Sequence, residues 1–180
     1  IGASIYSANG NREIAQIKKT SFDKPLTVLF TTIDQIKTHI NVESFWHKIE
    51  WKLLLSLEVT IGLPVSYATN NSIPDFILCG SDYIYFRYLP FLKDNFADPV
   101  TTTSLNVTGE APITNKKEAM NFYSKMKLNN SNGDYIFVED DVIPSGNPST
   151  IVCLIDGQFK VVRKGIHGDS IVEKLSVLST

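Results

Sequence analysis

Residues 150–163 constrain the fold more than any other stretch. Thr150, Ile151, Val152, Cys153, Leu154 and Ile155 form an apolar run, Asp156-Gly157 follows, and Gln158 to Arg163 resumes the apolar pattern. Asp-Gly between two such runs marks a two-residue hairpin, because both turn positions need positive φ and these residues tolerate it. An all-helical chain is therefore excluded, and any sheet must contain an antiparallel pair.

Helical and strand patterns alternate over the rest of the chain. Apolar spacing predicts helices over Asn11–Lys19, from Ile33 to near His39, over Phe45–Leu57, over Lys116–Leu128, and after Asp169 or Ser170. Thr32 with Gln35 has capping-box spacing at the start of the second. β-Branched and aromatic runs predict strands at Leu26–Phe30, Tyr83–Leu89, Pro99–Thr103 and Tyr135–Val138. Tyr67–Pro74 reads as a polar loop. The expectation is an α/β (α+β) domain, a twisted mixed sheet with flanking helices. With 180 residues, no repeat and no long linker, the whole chain is expected to be one domain.

A formal net charge of −2 removes the simplest case for a nucleic-acid binder, a strongly basic domain. Lys116, Lys117, Lys125 and Lys127 cluster in sequence but read first as a solvated helix face. Cys79 and Cys153 form no C-x-x-C and read as free thiols, which suits a reducing, cytoplasmic setting. No apolar stretch reaches the roughly 18 residues of a membrane span, so no membrane partner is expected.

Three polar segments fall at predicted strand ends, where open sheets collect ligands. Ile17 to Leu26 offers lysines as point charges for phosphate, or is a solvated loop. Thr101 to Thr114, with Ser104, Asn106 and Gly109, offers hydroxyls and an amide to phosphate or ribose, or supplies caps and turns. Pro144 to Thr150 is followed, fourteen residues after Ser149, by Arg163, whose fork suits a carboxylate or phosphate. Arg87 stands among aromatics in Tyr85-Phe86-Arg87-Tyr88 and needs a partner if buried. His39, His47 and His167 have no recurring spacing, no Ser-His-Asp or Cys-His set is evident, and neither phosphate-loop nor dinucleotide glycine motif occurs. No protein metal site is expected. These residues give three candidate anion loops and no reaction.

Taken together and in order, the segments resemble the YrdC/YciO-like family, which includes threonylcarbamoyl-AMP synthases. Lys18 to Leu26 resembles its K-x-R…PL loop, and Ser104-Leu105-Asn106 stands in its S-x-N position. Ser149-Thr150-Ile151-Val152 resembles its STIV strand, Val162-Arg163-Lys164-Gly165 its LRPG, and Tyr85-Phe86-Arg87 its AVR. Ile1-Gly2-Ala3 is similar to the end of its PTDTVYGLGA segment, so the domain is expected to lack the family's N-terminal strand.

The resemblance implies a reaction of ATP, L-threonine and bicarbonate, giving threonylcarbamoyl-adenylate and pyrophosphate. The product feeds N6-threonylcarbamoyladenosine modification of tRNA. It implies Ser104, Asn106, Thr114 and Arg163 at the nucleotide, and Arg87, Ser149 and a shared Ser104 at threonine. Lys18 would lie by the phosphates as the catalytic lysine, with Mg2+ on the phosphates. Further partners implied are tRNA or double-stranded RNA and other tRNA-modification proteins. Three departures stand out: Thr20 replaces the arginine of K-x-R, Leu29 replaces a family histidine, and the PGP turn near Lys52 to Thr60 is missing. They leave open a non-catalytic nucleotide- or RNA-binding module, or a carbamoyl-transfer domain of a larger enzyme.

Overall fold

The computed structural model describes residues 1–44, 47–57, 59–129, 135–139 and 144–178. The hairpin is β5 (Ile151–Ile155) and β6 (Gln158–Arg163), with φ of 52° at Asp156 and 77° at Gly157. A register shift between Ile151 and Val152 sets Arg163 opposite Ile151. The other strands are β1 (Thr27–Phe30), β2 (Thr60–Pro64), β3 (Tyr83–Tyr88) and β4 (Val100–Thr102). Together they form one mixed sheet in the order β4-β1-β3-β2-β5-β6. The β1–β3 and β2–β5 pairs are parallel and the others antiparallel.

Strand period decides the two faces. Val28, Phe30, Ile61, Leu63, Ile84, Phe86, Val152 and Leu154 are buried on one of them. They join a single core with Ile36 of α2 (Ile33–His39), Trp51 and Leu54 of α3 (Ile49–Leu55), and Ile171 and Leu175 at the C-terminus. Those last two sit on a helix, Gly168–Leu178, which becomes α6 in chain order. The opposite face carries Thr27, Thr60, Tyr85, Arg87 and Ile151, and it lines a cleft. Towards β4 that face is covered by α1 (Ala8–Ile17) and α5 (Lys116–Asn129); α4 is the short turn Asp75–Leu78.

Local chemistry sets the helix boundaries. α1 starts three residues before the sequence-predicted Asn11 because the Ser7 hydroxyl accepts from Gly10 N at 3.1 Å. It ends at Ile17, and Lys19 turns the chain with φ 51°. At α2 the Thr32 hydroxyl accepts from Gln35 N at 3.1 Å, while the Gln35 side chain reaches back to Thr31 N rather than Thr32 N.

Three sequence expectations change. The helix expected over Phe45–Leu57 is confined to Ile49–Leu55, and Phe45 and Trp46 lie outside the described residues. Tyr135–Val138 is not a strand. The edge of β4 is already taken by the start of the chain, through Thr103 N to Ile1 O and Thr101 N to Ala3 O. Tyr135–Val138 packs on helices instead: the Tyr123 hydroxyl donates to Tyr135 O, Tyr123 meets Phe137 edge-on, and the Tyr135 hydroxyl donates to Glu13. Finally β2, a central strand, was not anticipated, because Gly62 and Pro64 interrupt its apolar run.

Candidate functional site

Four chain segments converge on the open face of the sheet around a cleft of about 570 Å³. β3 supplies Tyr85 and Arg87, two residues apart and hence on the same face. The chain leaving β4 supplies Thr103 and Ser104, and the run into β5 supplies Pro148 and Ser149. Arg163 arrives from the end of β6. Of the sequence-selected residues, Arg87, Ser104, Ser149 and Arg163 therefore share one wall-to-wall space.

Arg163 is held in place by backbone: its terminal nitrogen donates to Ser149 O at 2.9 Å. The two segments are stitched further by Ile166 N to Pro148 O at 2.9 Å, Gly165 N to Thr150 Oγ1 at 3.0 Å, and Thr150 Oγ1 to Ile166 O at 2.7 Å. Thr150 is fully buried, so its hydroxyl serves this junction and not the cleft.

Lys18 and Asn106 lie behind the cleft as one buried network. Lys18 Nζ donates to Ser104 O at 2.7 Å, Asn106 O at 3.0 Å and Asn106 Oδ1 at 2.7 Å. Its three N–H bonds are thus filled. Asn106 Oδ1 also accepts from Ser104 Oγ at 2.7 Å, and Asn106 Nδ2 donates to Glu110 O at 2.7 Å. The resemblance sets Lys18 near the phosphates; its ammonium lies under the Ser104 loop, within one residue of the cleft wall. Burial pushes the Lys18 pKa below the ordinary lysine value. Thr114 is not brought into the cleft wall; its methyl lies beside Gly146.

The electrostatic outcome is one-signed. Arg87 and Arg163 line the cleft, Lys18 lies beneath it, and no Asp or Glu is among its lining residues within the described part of the chain. Such a site attracts anions. Among the described residues it offers a divalent cation no carboxylate, and no group of three or more His, Cys, Asp or Glu side chains is gathered. Leu29 opens on an apolar space of about 510 Å³ between the sheet, α1 and α5. No helix of the described residues is long and apolar enough to cross a membrane.

Sequence reading missed Thr27, Thr60 and Tyr85 as cleft residues. Tyr85 carried the one available signal, lying two residues before Arg87 in a strand. Thr60 carried none, because its strand was not recognised.

A sequence model of the Sua5/YciO/YrdC family, described as telomere recombination, matches residues 1–165. A Methanocaldococcus jannaschii protein whose assignment as a threonylcarbamoyl-AMP synthase is provisional is 26% identical over 169 residues, 92% of this chain and 74% of that protein. Among solved structures, P. abyssi Sua5 complexed with L-threonine superposes with a TM-score of 0.72 at 20% identity. That match covers 97% of this chain and 49% of Sua5, so the chain spans about half the length of that relative. E. coli YciO superposes with a TM-score of 0.59 at 19% identity, covering 92% of this chain and 77% of YciO. Fold and sequence agree, and the chain belongs to the Sua5/YciO/YrdC family.

Proposed function

We propose that this domain is a threonylcarbamoyl-AMP synthase, acting in the cytoplasm to supply N6-threonylcarbamoyladenosine modification of tRNA. The observation that carries the reading is the convergence of Arg87, Ser104, Ser149 and Arg163 on one cleft backed by the Lys18 ammonium. Family membership and the L-threonine complex of P. abyssi Sua5 support it.

The chemistry asks for binding and charge, not for a side-chain nucleophile. The threonine amine adds to bicarbonate with loss of water to give a carbamate. A carbamate oxygen then bonds to the α-phosphorus of ATP as the bond to pyrophosphate breaks. Two anionic reactants must approach, so fixed cations are the main requirement. Arg163 and Ser104 would hold the nucleotide, with Asn106 setting the Ser104 loop from behind. Arg87 and Ser149 would hold threonine, with Ser104 shared between the two ligands. Lys18 acts through the loop it positions and through its charge. Mg2+ would enter on the ATP phosphates as part of the substrate, since the described lining residues offer it no carboxylate.

The test is pyrophosphate release from ATP and bicarbonate with L-threonine, against L-serine and no amino acid. Threonine-dependent release is expected. ATP binding without release would favour a binding module, which the filled N–H bonds of Lys18 and a threonine instead of an arginine at position 20 would then explain.

Arg163→Ala should weaken ATP binding about 10- to 100-fold, the range for one charged hydrogen bond. Arg163 is exposed and its anchor is a single backbone carbonyl, so one cooperative unfolding transition should persist. Calorimetric titration and a thermal melt read both; unchanged ATP affinity would remove Arg163 from the nucleotide site.

A further inference from the structure

The two cleft serines differ in what stands behind them. Ser104 Oγ donates to Asn106 Oδ1, which cannot donate in return. The Ser104 proton is therefore committed, and its oxygen meets the cleft as an acceptor. Ser149 Oγ lies 2.7 Å from Thr60 Oγ1. Thr60 is almost wholly buried on β2, and among the described residues its hydroxyl has no acceptor besides Ser149. A buried hydroxyl proton is costly to leave unpaired, so Thr60 donates and Ser149 accepts. The Ser149 proton is then free to point into the cleft.

We infer that Thr60 is a positioning residue that makes Ser149 a hydrogen-bond donor towards an acceptor group of the ligand, opposite an acceptor at Ser104. The inference rests on the synthase reading and deepens it. An amino acid has both groups the cleft calls for: a carboxylate to accept from Ser149 and Arg87, and an amine to donate towards Ser104. Thr60 thereby fixes which end of the amino acid faces which wall. The relay also polarises the Ser149 O–H, because a hydroxyl that accepts a hydrogen bond becomes a better donor.

Thr60→Val keeps the β-branched shape and removes the proton; Thr60→Ser keeps the proton. Calorimetric titration of wild type and both variants with L-threonine, in the presence of saturating ATP, and with ATP alone, separates the outcomes. Thr60→Val should bind threonine about tenfold more weakly, with ATP affinity unchanged, and Thr60→Ser should restore it. In a Ser149→Ala background Thr60→Val should have no further effect on threonine binding, a check on coupling that a loss of fold would fail. Threonine affinity unmoved by Thr60→Val, an equal loss for ATP, or no rescue by Thr60→Ser would each overturn the role of Thr60. A wild-type protein that holds ATP but no threonine would overturn the synthase reading and this inference with it.

Discussion

Gly165→Ala is expected to destabilise the domain by about 3 kcal/mol or more and to remove ligand binding. A Cβ at Gly165 would stand 2.1 Å from Pro148 O and 2.6 Å from Ser149 C. Both obstacles are backbone, so no rotamer change relieves them. The chain must separate the turn after β6 from the run into β5, which breaks the Thr150 hydroxyl bridge and leaves its buried oxygen short of partners. Ser149 and Arg163 stand on the two parting segments and lose their shared contact. For a domain of this size the cost corresponds to a fall in Tm of about 6 to 12 °C. Gly157→Ala is the control: its φ is 77°, but a Cβ there meets nothing within 4 Å. It should carry backbone strain alone, about 1 kcal/mol, with ligand affinity intact. Equal melting temperatures for the two variants would show that the junction is looser than its geometry.

That junction also shows what the sequence could and could not tell. The Asp-Gly hairpin was legible because its turn chemistry is local, and the capped start of α2 was legible for the same reason. The cleft residues Ser104, Ser149 and Arg163 were legible as ligand candidates from polar segments at strand ends and from motif order; their convergence depends on strand order, which no local signal encodes. β2 was missed because Gly62 reads as a strand breaker. Its real reason is spatial: a Cβ there would lie 2.5 Å from Cys153 Sγ and 3.2 Å from the Tyr85 ring. Losing β2 meant losing Thr60, and with it the partner of Ser149. Tyr135–Val138 failed in the opposite sense: its strand propensity is real, but the sheet edge is occupied by residues 1–4. Lys18 was picked out as a charge. That its ammonium would be enclosed by carbonyl oxygens followed from Ser104 and Asn106, 86 and 88 residues away.

Lys18→Met should have the second large effect, and pH gives it a distinctive signature. Methionine keeps the length of the buried stem but removes the donor from Ser104 O, Asn106 O and Asn106 Oδ1. Asn106 Oδ1 retains Ser104 Oγ, so the loss falls chiefly on two carbonyls, and about 2 to 3 kcal/mol of stability should go at neutral pH. ATP binding should fall as well, since the Ser104 loop loosens and a cation disappears from beneath the cleft. The pH dependence follows from burial, which lowers the Lys18 pKa below the ordinary lysine value of 10.5. Between the lowered folded value and 10.5 the unfolded chain binds more protons than the native one. Wild-type stability from this group must therefore rise with pH across that window, while below it the burial penalty is fully present. Lys18→Met should lose the rise, and urea midpoints from pH 7 to 10.5 measure the difference. Bound ATP should flatten the wild-type rise too, because phosphate charge near the ammonium raises its pKa again. A wild-type slope that neither the substitution nor ATP alters would mean that the Lys18 charge is neither buried in the native state nor felt by the nucleotide.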